Sequence, residues 1–423
     1  MEVLEVVCQR CPGALGAPGL QAQRTRAMEP GLFAKRQGEL ADLWKGRFAR
    51  SLLTGVSGLT DSGGAPVPPA ETGVRSLEEF TQSQIRVDVS SLQQVSYALQ
   101  MAGIGLVRGV TLKNNSHQPS PDFVLQISLQ PDDYGQPWEI SIPGLAPGQV
   151  WEQSNVTLPL NRDRLRSVLE SEPAALKVTL RTRDAIIFSG QPQPVTVLAY
   201  NEWLMLPGFL EITAAFVQSN KPALQMVMRP AVDRLESTAG TRGFSGYQRQ
   251  RRHFVVEMLE AIHHTLNKDI RLSYRNLPPS HERTGQKIRL VEQTLEDRTG
   301  TCFDLAVLQA ALWEHVGLAP MIILVPGHAL LACWLDEPPE RRPSVVQFDR
   351  TGNGDVPALQ KLLVALNAGS LLPFNSVEVA NEGMSFADAV EHGGAILKRE
   401  LEARSRIHFV DIAAARHRVK PLP

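Results

Sequence analysis

Residues 298–317 read RTGTCFDLAVLQAALWEHVG, which puts Cys302 at the expected first turn of a helix. Residues 326–337, PGHALLACWLDE, put His328 at the expected start of a strand. A thiol and an imidazole are the nucleophile and base of acyl transfer when the fold brings them together. Gly300 supplies a tight turn, and Thr301-x-x-Asp304 has the spacing of a capping box, with a side-chain oxygen at the N-cap and a carboxylate three residues on. With Thr301 as N-cap, Cys302 is the first helical residue, and Leu305, Leu308, Leu312 and Val316 continue an apolar stripe that ends at Gly317. The sulfur then lies where unpaired backbone N–H groups and the helix dipole favour an anion. The Asp304 carboxylate opposes that effect.

A third group is needed to orient the imidazole and set its tautomer. Two residues qualify. Asp349 ends SVVQFD, a run that could hairpin back along the His328 strand, and Asn375 lies in LLPFNSVEV, read as a later strand after the helical segment PALQKLLVALNAG. Each residue also has a plain structural reading. A free cysteine is often a small buried hydrophobe, as Cys333 on its alternating strand is expected to be. Asp304 serves as a capping residue and Asp349 as a turn or helix-start carboxylate without any catalysis.

The elements that must position these residues divide the chain into three parts. Residues 1–80, rich in Gly, Ala and Pro, read as an N-terminal extension with one amphipathic segment around Leu32–Trp44 and a linker at 58–73. Residues 81–204 alternate in short runs: IRVDV, LVRGVTLKN, DFVLQISLQ, WEISI, NVTLPL, ALKVTL, AIIF and PVTVLAY, separated by turn signals. That spacing predicts a β-sandwich of immunoglobulin-like type. Residues 205–423 begin with a helical lead-in, including YQRQRRHFVVEMLEAIHHTLNK with Phe254, Val255, Met258, Leu259, Ile262 and Leu266 at helical spacing. His263 and His264 point about 100° apart on that helix, so they cannot share a metal and are expected to be surface or boundary residues. The fold class is α+β.

The chain has 423 residues, 43% hydrophobic and 21% charged, with a formal net charge of −1. A balanced charge gives no support for a general nucleic-acid binder, and RQRRHF at 249–254 is expected to be a solvated helix face. The opening MEVLEVVCQRCPGALG carries acids where a secretory leader needs bases, and no run approaches the ~20 apolar residues of a membrane span, so a cytoplasmic location is expected. Cys8 and Cys11 form a lone CxxC without a second pair, a poor zinc signature.

The string DRTGTCFDLAVLQAALWEHVGLAPMIILVPGHALLACWL resembles the core of the transglutaminase-like cysteine peptidase superfamily, with its Gly-x-Cys-x-Asp helix start, Gly-(Leu/Ile)-x-Pro turn and His-Ala strand. TGQKIRLVEQTLEDRTGTC, SFADAVEHGG and FVDIAAARHRVKPLP look like the N-terminal region of large bacterial proteins that join such a domain to a helicase and nuclease. The likeness runs from about residue 82 to the end. No GxxxxGK[ST] motif occurs, so ATPase activity is not carried over.

The resemblance implies a transglutaminase- or papain-like α+β domain after the sandwich, with Cys302 as nucleophile and His328 as base. Its third member maps to Asn375 by the closer relatives and to Asp349 by generic strand order; an amide gives a Cys-His-Asn arrangement of papain type. Gln286, with Gln293 behind it, is the implied side-chain donor to the oxyanion. The expected activity is thiol-dependent acyl transfer on a peptide or glutamine carboxamide, by proteolysis, deamidation or crosslinking, with no metal or cofactor. The rival expectation is a non-catalytic scaffold for a helicase, nuclease or other component of a bacterial DNA-processing or defence system.

Overall fold

Apolar alternation builds the first half of the protein. Ile85–Leu92 and Phe123–Gln130 bury every second side chain, so each strand presents one apolar face to a core and one polar face to water. The computed structural model describes residues 84–206, 208–275, 285–348 and 356–423, with the backbone of 74–80. Strands β1 (Val74–Phe80), β2 (Ile85–Leu92), β4 (Val107–Asn114) and β7 (Val150–Val156) form an antiparallel sheet in the order β1-β2-β4-β7. A second sheet runs β3-β10-β8-β5-β6, from Gln94–Val95, Gln193–Val197, Glu172–Arg181, Phe123–Gln130 and Trp138–Ile142, with β9 (Ile186–Ser189) on β8. Val87, Val89 and Leu112 of the first sheet share a core with Leu125, Ile127 and Val178 of the second.

Two strands depart from the sequence expectation: β1 (Val74–Phe80) falls in the stretch read as the N-terminal extension yet pairs with β2 along its whole length, and β7 is displaced. NVTLPL contributes only its first two residues; the strand is VWEQSNV, which has a single fully buried position. It lies at the edge of its sheet, where a mostly polar sequence is stable and the alternation signal is lost.

The second half is built on a five-stranded antiparallel sheet, ordered β17-β19-β15-β16-β18, from Val345–Phe348, Ile407–Asp411, Pro320–Val325, His328–Trp334 and Leu371–Phe374. Its two faces bury different cores. Leu324, Ala329, Leu331 and Cys333 pack with the Cys302–His315 helix, whereas Ile323, Leu330, Ala332 and Trp334 pack with Leu359, Leu362 and Leu366 of the Val356–Asn367 helix. The Cys302–His315 helix is buried at every position from Cys302 to Trp313, not along one stripe, because neighbours cover its whole circumference. Its one amide, Gln309, is satisfied there by the carbonyls of Leu305 and Ser376, both at 2.9 Å.

The expected hairpin between SVVQFD and the His328 strand does not form. β17 pairs with β19, three strand spacings or about 14 Å from β16, because the chain's closing strand inserts beside β15. Among the described residues no helix is long and apolar enough to cross a membrane. Cys8, Cys11 and the Leu32–Trp44 segment lie outside the described residues.

The Arg252–His264 helix corrects a further expectation. His263 is buried, with its ring edge-on to Phe374 and Phe386 at 5.6 and 5.9 Å, while His264 is half-buried and contacts Glu260 at 3.4 Å. Burial, reinforced by the nearby His264 and Lys268, pushes the His263 pKa down to about 4 against the opposing pull of the Met384 carbonyl and Asp388. The folded protein therefore favours the neutral ring. Stability is full above pH 6.5 and falls as pH drops toward 4, by about 3 kcal/mol in total, as only the unfolded chain takes up the proton in that window. Denaturant melts at pH 7 and 4.5 should show this loss, and His263→Phe should shrink it.

Candidate functional site

Thr301 is the N-cap of the Cys302–His315 helix, and its hydroxyl accepts from Asp304 N at 3.2 Å. The Asp304 carboxylate returns the interaction, Oδ2 accepting from Thr301 N and Oδ1 from Arg289 N, both at 2.9 Å. The capping box expected from the spacing thus also clamps the incoming segment at 286–290 to the helix start. Burial pushes the Asp304 carboxyl up, while the backbone N–H groups of Thr301 and Arg289 pull it down. This carboxyl is occupied in holding the backbone. Gly300 is not in the expected tight turn but in β14 (Thr299–Gly300), which pairs in parallel with β12 (Ser273–Tyr274), and an added Cβ there would meet Asp304 Cβ at 3.0 Å.

β18 lies directly beside β16, with Leu331 opposite Phe374, so the residue that follows β18 reaches the His328 end of the neighbouring strand. That residue is Asn375, whose Oδ1 lies 2.8 Å from His328 Nε2. Ser376 Oγ then donates toward the carbonyls of Cys302 at 3.2 Å and Ala329 at 3.4 Å. One hydroxyl therefore touches both the first residue of the helix and the residue after His328. The start of the helix, the start of β16 and the end of β18 converge on one point.

Asp349 lies outside the described residues, and β17, which leads to it, is on the far side of the sheet. Gln286 is half-buried and pairs with Trp203, between β13 (Gln286–Lys287) and β11 (Glu202–Trp203). The Trp203 ring lies 4.7 Å from that of Phe303, the neighbour of Cys302. Gln286 is thus in the layer beside the helix start. Gln293 is exposed on the Val291–Asp297 helix, whose buried side is formed by Val291, Thr294 and Leu295.

The sulfur is not open to solvent: Cys302 is 0% exposed and His328 8%. Trp334 does not seal it, since it stands at the other end of β16, about 20 Å along the strand, and donates to Asp411 at 3.1 Å. Arg342, from the turn after β16, also binds Asp411. Cys333 is a buried core thiol, pushed up by burial.

Several residues of the site carry no sequence signal of their role. NSVEV has the alternation of a strand, yet after Asn375 it enters a 3₁₀ turn over Ser376–Ala380, which returns Glu378 beneath Asn375. Asn375 Nδ2 donates to Glu378 Oε1 at 2.8 Å. His392 and Gly393 come from the Phe386–Glu402 helix, started by a second capping box between Ser385 and Asp388. The Ser385 hydroxyl and N–H hold the Asp388 carboxyl below the usual carboxylate range.

Compared with protein-family models, curated proteins and solved structures, the chain has no significant match.

Gly393 decides how closely that helix meets the site. A Cβ there would lie 2.5 Å from Phe374 C and 2.6 Å from Asn375 N, both backbone, and Asn375 N donates to Ala389 O at 2.8 Å. Gly393→Ala must push the helix from the strand end, at a cost of about 1–3 kcal/mol typical of overpacking. Urea melts should show that loss, and the His328 ring resonances should move as Asn375 shifts.

Proposed function

We propose that the chain is a thiol-dependent acyl-transfer enzyme of the transglutaminase-like cysteine peptidase type. The single observation that carries this reading is the 2.8 Å contact between His328 Nε2 and Asn375 Oδ1, beside the start of the helix that Cys302 opens. With Nε2 engaged by an acceptor, Nδ1 is the nitrogen that would exchange a proton with the thiol. Cys302 then gives up its proton to His328 and its sulfur adds to the carbonyl carbon of a peptide or glutamine carboxamide. As the C–N bond breaks, His328 passes the proton to the departing nitrogen, leaving a thioester. Water or an amine, deprotonated by the same ring, releases the acyl group and restores the thiol. Asn375 holds the ring through both steps, and Gln286 is the side chain proposed to assist the backbone in holding the oxyanion.

A second reading is favoured by a specific observation, the complete burial of Cys302. In that reading the immunoglobulin-like sandwich and the papain-like half form a scaffold for protein partners, among which a bacterial DNA-processing or defence component is the proposed class. The two readings differ in one measurable property, the chemistry of the sulfur in the folded protein.

Alkylation by a small haloacetamide, read on the peptide that carries Cys302 because the chain has four cysteines, separates them. An activated thiol reacts faster than a free cysteine at pH 7, and His328→Ala slows it by at least about 100-fold, the lower range of general-base effects. A Cys302 that is inert in the native protein and indifferent to His328→Ala would leave the scaffold reading.

A further inference from the structure

Glu378 is one of the few buried carboxylates of the second half of the protein, 5% exposed, and nothing in the acyl-transfer steps uses it. Three donors converge on it. Asn375 Nδ2 and His392 Nδ1 reach Oε1, each at 2.8 Å, and Asn381 Nδ2 reaches Oε2 at 2.6 Å. The turn that carries it is held in place independently, since Asn267 Nδ2 donates to the carbonyls of Val379 at 3.1 Å and Asn381 at 2.9 Å.

We propose that Glu378 is a positioning residue that, through the Asn375 amide, determines which nitrogen of His328 carries the proton. An amide offers a donor end and an acceptor end, and a terminal flip exchanges them with little change of shape. The Nε2 contact by itself does not select an orientation of the amide, because a neutral imidazole can either donate or accept there. A carboxylate oxygen already engaged by His392 only accepts. It therefore holds the NH₂ end of Asn375 and turns Oδ1 toward His328. A carbonyl oxygen in turn only accepts, so Nε2 must carry the proton and Nδ1 must be the basic nitrogen. The tautomer with a basic Nδ1, which the acyl-transfer reading requires, is thus set by a carboxylate that acts on the ring through an intervening amide. The substitution Glu378→Gln replaces that carboxylate with a group able to present either a donor or an acceptor, and Asn375 would lose its reason to prefer one orientation.

This inference deepens the acyl-transfer reading, and its relevance to catalysis rests on that reading. The tautomer itself does not. Histidine-selective ¹⁵N labelling of the full chain, with proton–nitrogen correlation spectra above the ring's titration, reads the protonated nitrogen of His328 directly; His328→Gln assigns its signals. The expected result is a single Nε2–H form in the wild type and, in Glu378→Gln, loss of that single form with a measurable Nδ1–H population. A wild type that is Nδ1–H, or a folded Glu378→Gln that stays wholly Nε2–H, overturns the proposal.

Glu378→Asp provides a second variant if the amide does not fold: it keeps the charge but withdraws it by one methylene, and should also admit the second tautomer. Retention of a single Nε2–H form there counts against the proposal as well. Haloacetamide labelling on the same samples keeps the two ideas separate. An inert Cys302 with a tautomer that responds to residue 378 overturns the enzymatic reading and leaves the positioning role intact. An activated Cys302 with an unresponsive tautomer does the reverse.

Discussion

The Asn375 amide is the narrowest constraint in this structure, since its two ends face partners of opposite demand, His328 Nε2 on one side and the Glu378 carboxylate on the other. It can serve both only if the end of β18, the start of β16 and the turn after Asn375 hold their places. The β16–β18 pairing sets the register, the Phe386–Glu402 helix presses against Phe374 and Asn375 through Gly393, and Asn267 ties down the turn. A hydrogen bond of this kind has a modest net value in water-exposed settings, but leaving either buried partner unmade costs more. That asymmetry makes the surrounding packing, not the bond itself, the feature that fixes the geometry.

The helix that begins at Cys302 has the opposite character. It is enclosed by apolar neighbours, and its polar requirements are met at its start by the Thr301–Asp304 capping box and in its middle by Gln309. Because the same Asp304 carboxylate also receives Arg289 N, the helix start, the segment before it and the strand layer through Trp203 form one interlocked unit. A buried sulfur at such a place joins two demands that pull apart, since enclosure excludes water and strengthens local electrostatics while it also closes the route for a substrate.

Much of this is legible in the residues. Gly300-Thr301-x-x-Asp304 announces the helix start to the residue, because capping is a local matter of side chains three positions apart. The β15–β16 hairpin follows from two apolar runs broken at Pro326-Gly327, and most strands of the first half follow from alternation. Less legible is anything set by contact around the whole element. The buried His263 has the look of a boundary residue because its aromatic neighbours come from residues 374 and 386.

Local chemistry along the chain was enough to place the thiol and the imidazole on their elements and to name Asn375 as one of two partners for the ring. The strand order that sets β18 beside β16 and sends β17 beyond β19 came instead from packing between distant segments. The same packing bent NSVEV into a turn that carries Glu378 beneath Asn375, and it enclosed the sulfur. The physical reason is the range of the forces involved. Caps, turns and periodicity are settled among residues a few positions apart, whereas strand neighbours and burial depend on which remote surfaces fit together.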